Sequence, residues 1–235
     1  MAGRITYYGG IVTQGLVLDL DAAKHDSYPR TGTAWNDISG NRNNGTLVNG
    51  PTFDTGNGGS IVFDGVDDRI GSTILQITSA ITISFWMKTT TTANLNAIVC
   101  RDETGSARLW NVIYRGSTLR YLNFVVWHTN GTFTELLSTA NILDDGLWKH
   151  IVCTYDGTTN TNNYRIYING SLDKQSTPNS TGIKTNLTTT LTLGSLTNGN
   201  GWFFNGNISQ VLIYNKYFSV SEVLQNYNAT KGRYL

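Results

Sequence analysis

The stretch 81-ITISFWMK-88 decides the fold class, because apolar and polar side chains alternate strictly over its first five residues. Ile81, Ile83 and Phe85 therefore point to one face of an extended strand, and the intervening threonine and serine point to the other. A period of two residues is typical of a β-strand and not of a helix. The stretch predicts a strand whose isoleucine and phenylalanine side chains face a core.

Similar apolar runs recur along the rest of the chain, separated by clusters of glycine, asparagine and aspartate. This rhythm of strands and turns is typical of a sandwich and predicts an all-β fold. The clearest runs are 15-GLVLDL-20, 60-SIVFDG-65, 95-LNAIVC-100, 108-RLWNVIY-114, 120-RYLNFVVWH-128, 149-KHIVCTYDG-157, 164-YRIYI-168, 190-TLTLG-194 and 208-ISQVLIYN-215.

Two short motifs predict how particular elements begin and end. Asn169-Gly170 separates two extended runs, and this pair tolerates the positive φ angles of a type I′ hairpin turn. Ser219 and Glu222 have the spacing of a capping box. Apolar residues recur at helical spacing directly after the serine, so the sequence predicts a short C-terminal helix.

Length and composition agree with one large sandwich domain. The chain has 235 residues, of which 39% are hydrophobic, enough to form a core without help from disulfides. We expect one domain over residues 15–235, preceded by an N-terminal arm over residues 1–14 that lies outside the strand rhythm. Cys100 and Cys153 each lie in an apolar run, which favours buried free thiols over a disulfide.

Charge and hydropathy exclude several classes of partner. The formal net charge is +1, and lysine and arginine are scattered singly, so we expect no binding to nucleic acid or to an anionic membrane. No apolar run reaches the roughly 18 residues of a membrane span. The opening MAGRITYYGG lacks the apolar stretch of a secretory signal, so we expect synthesis in a cytosol without export.

Several of the runs carry short motifs that follow one another in a fixed order. In that order they resemble the concanavalin A-like lectin/glucanase superfamily, and within it the laminin-G-like jelly-roll domains. The resemblance implies a two-sheet antiparallel jelly-roll sandwich with a short C-terminal helix. The motifs are Gly15 to Ala23, Trp35 to Leu47, Phe63 to Asp68, Ile83 to Trp86, Trp148 to Val152, Tyr155 to Gly157, Tyr167 to Gly170, Phe204 to Ile208 and Ile213 to Asn215.

The opening of the domain, with Tyr28-Pro29 and 49-NGPTF-53, is similar to versions found in structural proteins of tailed bacteriophages. This resemblance implies a non-enzymatic virion protein, a decoration of the capsid or tail or part of a fibre, located in the virion. Its partners would be other virion proteins and further copies of itself in a symmetric homo-oligomer. The arm, with Tyr7, Tyr8 and Ile11, has the composition of a segment that orders on a partner surface, or of an ordinary first strand.

Catalysis is the remote alternative function, in which the chain would be a divergent glycoside hydrolase. Glucanases of this superfamily align carboxylates on alternate strand positions in an E-x-D-x-E pattern. Asp19 and Asp21 form the one such pair in the chain, and they include no glutamate. We therefore expect no enzyme activity, and the isolated histidines His25, His128 and His150 do not change that expectation.

Calcium is the cofactor that the resemblance allows, although none is required. Hard cations prefer carboxylate, amide and carbonyl oxygens, and related domains bind calcium at the rim of the sandwich. Asparagine and aspartate are also the usual residues of turns, which is the simpler interpretation. The candidate ligands come from two loops, Asp37, Asn41 and Asn43 from the first and Asp64, Asp67 and Asp68 from the second.

Carbohydrate binding is the main alternative function, as a module that recognises host-surface or environmental polysaccharide. Sugars stack on exposed aromatic rings beside polar groups that bind their hydroxyls. Trp86 and Trp148 fall in motifs of the family core, and we expect both to be buried. The candidates for glycan contact, or for contact with a neighbouring subunit, are Trp35, Trp127, His128, Trp202 and Phe203.

Overall fold

The computed structural model describes residues 9–102, 107–117, 120–139, 143–185, 188–196, 199 and 201–235. In these residues the chain forms sixteen β-strands and one α-helix, α1. The strands are β1 Leu16–Asp21, β2 Ala34–Trp35, β3 Gly45–Val48, β4 Thr52–Asp54, β5 Ser60–Asp64, β6 Arg69–Gly71, β7 Ile81–Lys88, β8 Asn96–Asp102, β9 Arg108–Arg115, β10 Tyr121–Trp127, β11 Phe133–Leu137, β12 Lys149–Tyr155, β13 Tyr164–Ile168, β14 Ser171–Ser176, β15 Thr192–Leu193 and β16 Asn205–Tyr214; α1 is Val220–Thr230.

The strands form two antiparallel sheets, as the sequence predicts. Sheet 1 has the order β14-β13-β12-β7-β16-β5-β4, and β1 also pairs with β16. The predicted strand β7 lies in the middle of this sheet, where Ile83 pairs with Cys153 of β12 and Ile213 of β16. Sheet 2 has the order β11-β10-β9-β8-β15-β6-β3-β2. The prediction of a two-sheet sandwich is therefore confirmed.

The main hydrophobic core lies between the sheets. Ile81, Ile83 and Phe85 of β7 belong to it, which confirms their predicted direction. Phe124 of sheet 2 stacks on Tyr164 of sheet 1 with ring centroids 4.6 Å apart, and the tyrosine hydroxyl donates to the Phe124 carbonyl at 3.0 Å. Burying such apolar surface is the main stabilising term of the fold.

Both cysteines are buried and free, as predicted. Cys153 belongs to the main core, whereas Cys100 belongs to a smaller cluster with Ala97 and Ile113 in sheet 2. Burial raises the pKa of both thiols, because a thiolate is poorly solvated in an apolar interior. Among the described residues, no helix has the length and apolarity to cross a membrane.

Helix α1 covers the outer face of sheet 1. Ser219 and Glu222 form the predicted capping box at its start. The Trp86 indole donates to Thr230 Oγ1 at 2.8 Å near the end of the helix, and Trp86 also stacks on Tyr227. Because the helix seals this face, Ser84 is buried even though it points away from the core.

The predicted hairpin joins β13 and β14. Asn169 and Gly170 adopt φ angles of 50° and 78°, as a type I′ turn requires. A Cβ atom on Gly170 would lie 2.8 Å from Tyr227 Cδ1, so glycine is needed for the packing of the turn against α1 as well as for its φ.

The described part of the arm lies on α1. The Val12 amide donates to Asn226 Oδ1 at 2.8 Å, and Gln225 Nε2 donates to the Gly10 carbonyl at 2.9 Å. Ile11 packs on the cluster that holds Val12 and the helix. Ile11 is half-buried in this packing, so its contact with a partner stays a prediction, and the other predicted partner residues, Tyr7 and Tyr8, lie outside the described residues.

Candidate functional site

A groove on the outer face of sheet 2 combines aromatic rings with buried polar groups. It is a cavity of about 210 Å³ formed by β8 to β11 together with residue 202. Its lining residues are Asp102, Arg108, Asn111, Ile113, Arg115, Asn123, Val125, Trp127, Phe133, Glu135 and Trp202.

Strand alternation places these side chains on one face. On β9, Val112 belongs to the core between the sheets, so its neighbours Asn111 and Ile113 point outward. Antiparallel pairing sets Asn111 beside Val125 of β10, and Val125 beside Glu135 of β11. The floor of the groove therefore alternates apolar and polar groups across three strands.

Aromatic rings form two walls of the groove. Trp127 and Phe133 pair across β10 and β11 with ring centroids 5.6 Å apart, and the Arg108 guanidinium lies 5.3 Å from the Trp127 ring. Trp202 packs on the cluster that contains Ile113 and approaches from the loop before β16. Both tryptophans are half-buried, so part of each ring is open to a ligand.

The backbone of Trp202 is unusual. Its φ is 57°, in the left-handed region that a bulky side chain rarely adopts. Its carbonyl accepts a hydrogen bond from the Ala97 amide at 2.7 Å, which ties the loop to β8. Strained conformations of this kind are concentrated at functional sites, so the observation directs attention to this ring.

Two asparagines form the polar floor. Asn123 Nδ2 donates to Glu135 at 2.7 Å, and Asn111 Nδ2 donates to Asp102. The two side-chain carbonyl oxygens, Oδ1 of Asn111 and of Asn123, are buried and accept no hydrogen bond from the described residues. Buried polar groups normally have partners, so these oxygens are suited to hydroxyl or N–H donors of a ligand.

The charged residues of the groove have different surroundings. Burial raises the pKa of Asp102 to about 6, although the hydrogen bond from Asn111 and the charge of Arg108 oppose the shift. Arg108 Nε lies 3.9 Å from Asp102 Oδ1. Arg115 Nε is buried and has no hydrogen-bond acceptor among the described residues. The groove therefore offers buried acceptors together with the Arg115 guanidinium, which has no carboxylate within ion-pair distance in the described part of the chain.

Of the five predicted aromatic-site residues, the groove brings together Trp127 and Trp202. The expectation that Trp35 is exposed is wrong, because alternation on β2 turns Ala34 outward and Trp35 into the main core. Phe203 is half-buried and lies next to Trp202, but it does not line the groove.

The expectation that His128 is accessible is also wrong. The ring is fully buried; Nε2 lies 2.7 Å from Thr134 Oγ1, and Nδ1 lies 3.0 Å from the Gly182 carbonyl. Burial lowers the pKa of His128, because the imidazolium would lose its hydration. Both ring nitrogens serve the protein's own structure, since the side chain joins β11 to the loop at Gly182.

The first group of predicted calcium ligands does not fit a cation site. Asp37 Oδ1 accepts the amides of Asp19 and Ser39, and Oδ2 accepts Ser39 Oγ and the Asn43 amide, each at 2.9 Å. The amide groups of Asn41 and Asn43 donate to carbonyls of β1. These residues shape the turn and attach it to the sheet, which is the usual role of such side chains.

The second group has a chemistry that fits a hard cation. Asp64, Asp67 and Asp68 each offer a carboxylate oxygen within 4.8 Å of the others. Burial raises the pKa of Asp68, and the neighbouring carboxylates add to that rise. Part of the group already serves the turn, since Asp64 Oδ1 accepts the Val66 amide at 2.8 Å. Calcium at this turn stays a prediction.

Sequence reasoning missed the polar floor of the groove. Asn111 and Asn123 each interrupt an apolar run, 108-RLWNVIY-114 and 120-RYLNFVVWH-128. Asparagine is unfavourable in strands, and that interruption was the available signal. Glu135 carries a weaker signal, as a polar residue at an alternate position in 133-FTELL-137. The pairing of these strands, which brings the three residues together, required the structure.

Comparisons with solved structures agree with the fold. The chain is similar to the binding domain of botulinum neurotoxin DC in complex with SialylT, with a TM-score of 0.70 and 15% identity over 93% of this chain and 52% of that one. The botulinum neurotoxin serotype G binding domain has a TM-score of 0.67 and 18% identity over 90% of this chain and 50% of that one. The binding domain of Paraclostridial Mosquitocidal Protein 1 has a TM-score of 0.63 and 16% identity over 92% of this chain and 52% of that one. The chain spans about half the length of these binding domains.

Sequence comparison identifies the family. No curated protein matches the chain significantly. A family model described as the concanavalin A-like lectin/glucanases superfamily matches residues 55–224, which include β5 to β16 and the start of α1. The match covers most of both sheets and agrees with the antiparallel sandwich. The chain belongs to the concanavalin A-like lectin/glucanases superfamily.

Proposed function

We propose that this chain is a non-enzymatic carbohydrate-binding module that holds a saccharide in the groove on sheet 2. The observation that carries the proposal is that one cavity combines half-buried tryptophan rings with asparagine side-chain oxygens that accept no hydrogen bond from the described residues. The apolar face of a sugar ring can stack on Trp127 or Trp202, and its hydroxyls can donate to Asn111 and Asn123. Such a mixture of apolar walls and a few placed polar groups is characteristic of small-ligand sites.

The separation of the strands that carry the two carboxylates of the groove favours binding over hydrolysis. Asp102 lies on β8 and Glu135 on β11, with two strands between them. Neighbouring strands are about 4.8 Å apart, so the two backbones are about 14 Å apart. Glycosidases need carboxyl groups about 5 to 9.5 Å apart on either side of the bond that breaks. The divergent hydrolase is therefore the weaker alternative.

The comparisons support the same proposal at the level of fold. Similar structures are binding domains of toxins, and one of them was solved with SialylT. The virion role, the virion partners and the homo-oligomer remain predictions from sequence resemblance. Mass spectrometry of purified particles tests them, and absence of the chain from such particles would remove the virion interpretation without affecting the groove.

A glycan array followed by titration calorimetry tests the proposed function. The array is run with millimolar calcium and again with a chelator, so that a calcium requirement shows as a difference between the two. For the best ligand, Trp127→Ala and Trp202→Ala are each expected to weaken binding about tenfold or more, since a lost stacking contact of about 1.4 kcal/mol corresponds to a factor of ten.

Tyr217→Ala is the matched control, because Tyr217 is a half-buried aromatic residue that does not line the groove. Circular dichroism checks that all three variants fold. Silence of the array under both conditions would contradict the proposal. Equal affinity of the tryptophan variants and the control would place the binding site elsewhere on the molecule.

A further inference from the structure

Arg115 is the part of the groove that a neutral sugar leaves unexplained. It lies at the end of β9 and is half-buried, and its Nε is buried without an acceptor among the described residues. No described carboxylate lies within ion-pair distance of its guanidinium, whereas Arg108 lies near Asp102. A guanidinium that lines a cavity and has no carboxylate partner among the described residues is suited to an anion from a ligand.

The orientation of the two floor amides adds a second requirement. A carboxylate accepts hydrogen bonds but does not donate them, so Asn123 must turn its Nδ2 toward Glu135. For the same reason, Asn111 must turn its Nδ2 toward the Asp102 carboxylate. Each Oδ1 must then point away from its carboxylate, and each accepts no hydrogen bond from the described residues, although both asparagines line the cavity. The floor therefore favours a ligand that brings hydrogen-bond donors, such as hydroxyl groups.

The acidic residues of the groove are occupied or distant from Arg115. Asp102 is bonded to Asn111 and lies near Arg108, and Glu135 accepts from Asn123. Arg115 follows Asn111 by four residues on β9, which corresponds to about 13 Å along the strand. A ligand can thus place hydroxyl groups over the asparagines and a negative charge at the Arg115 end.

We propose that the groove selects an acidic saccharide, one that carries a carboxylate on its sugar ring, and that Arg115 binds this carboxylate. The inference rests on the proposed carbohydrate-binding function and deepens it. Arginine is suited to this role because its planar fork of N–H groups matches the geometry of a carboxylate. The hydroxyl groups of the same ligand satisfy Asn111 and Asn123.

The test compares oligogalacturonate with its fully methyl-esterified form, because esterification removes the charge and leaves the sugar backbone unchanged. Binding is followed by tryptophan fluorescence and calorimetry. The acid is expected to bind at least about tenfold more tightly than the ester, since a hydrogen bond to a charged group contributes about 1.5 kcal/mol or more. Arg115→Gln is expected to abolish this preference, so that the acid and the ester bind to the variant with similar affinity.

Arg42→Gln is the matched control, since it removes the same charge from an exposed position outside the groove. It should retain the preference for the acid. Loss of the preference in the control as well would show that net charge, not Arg115, selects the ligand. If the acid and the ester bind equally, or if only neutral glycans of the array bind, the acidic-saccharide inference fails and the proposed function stands. If no saccharide binds, both fail.

Discussion

At the scale of single residues, the groove depends on polar groups buried within apolar strands. Asp102 is 3% exposed, and burial raises its pKa to about 6 against the opposing effects of Asn111 and Arg108. An unfolded aspartate has a pKa of about 3.9, so the folded state binds this proton more tightly. The free energy of unfolding therefore falls as the pH rises from about 4 to about 6. Above about pH 6, Asp102 causes no further change with pH.

Asp102→Asn should reveal this dependence. The variant removes the ionisation, so its stability relative to the natural protein should increase by about 2 kcal/mol between pH 4 and pH 7. Urea unfolding at several pH values measures the difference. Burial also raises the pKa of Asp19 to about 6, but Asp19 is present in both proteins and its effect cancels in the comparison.

Asp145→Asn is a control whose relative stability should change with pH in the opposite direction. Burial acts to raise the pKa of Asp145, but its hydrogen bonds with Lys149 and the Leu147 amide lower it overall. Its stabilising effect is therefore present above the unfolded pKa and is lost as pH falls. The Asp145 variant should become relatively less stable toward neutral pH. The same trend in both variants would contradict the assignment of the buried proton to Asp102.

At the scale of elements, the hairpin β13–β14 and helix α1 depend on each other through one glycine. Gly170 needs its positive φ for the turn, and its missing Cβ leaves room for Tyr227. Tyr227 in turn stacks on Trp86, which donates to Thr230. The turn, the helix and the outer face of sheet 1 therefore pack as one unit.

Gly170→Ala should lower the free energy of unfolding by more than a glycine substitution that strains the backbone alone. Gly32 has the same φ of 78° and nothing within 4 Å of its Cβ position, so Gly32→Ala isolates the backbone cost of about 1 kcal/mol. Gly170→Ala adds the clash with Tyr227, for a total of about 2 to 4 kcal/mol. Chemical denaturation measures both. Equal losses would mean that the turn moves away from α1 without cost.

At the scale of the whole molecule, one core joins the two sheets, and each sheet carries one buried thiol. Cys100 belongs to sheet 2 and Cys153 to sheet 1, and both are fully buried. Burial also raises both thiol pKa values, which suppresses the reactive thiolate. Modification by a thiol reagent therefore requires the chain to open.

The two cysteines should react together, at a rate set by unfolding of the whole sandwich. The measurement follows each cysteine by mass spectrometry during labelling in increasing urea, with Cys100→Ala and Cys153→Ala as single-thiol references. The midpoints for both sites should coincide with the midpoint seen by circular dichroism. Earlier reaction of Cys100 would show that the sheet with the groove opens separately from the other.

Much of the fold was predictable from local pattern. The alternation in β7, the Asn169-Gly170 turn and the capping box at Ser219 are each determined by neighbours in the chain, and the structure confirms all three. Trp86 and Trp148 are buried, as the family motifs implied. Local periodicity and turn chemistry depend on residues a few positions apart, so sequence alone determined most of the strands, the helix and the sandwich class.

The binding groove was decided by the tertiary structure. It takes residues from four strands and from the loop that carries Trp202, and strand pairing alone brings Asn111, Asn123 and Glu135 together. Trp35 and Trp127 look alike in sequence, yet the first faces the core and the second faces outward. Exposure depends on which sheet face a distant element covers, and such long-range packing is not contained in the local pattern.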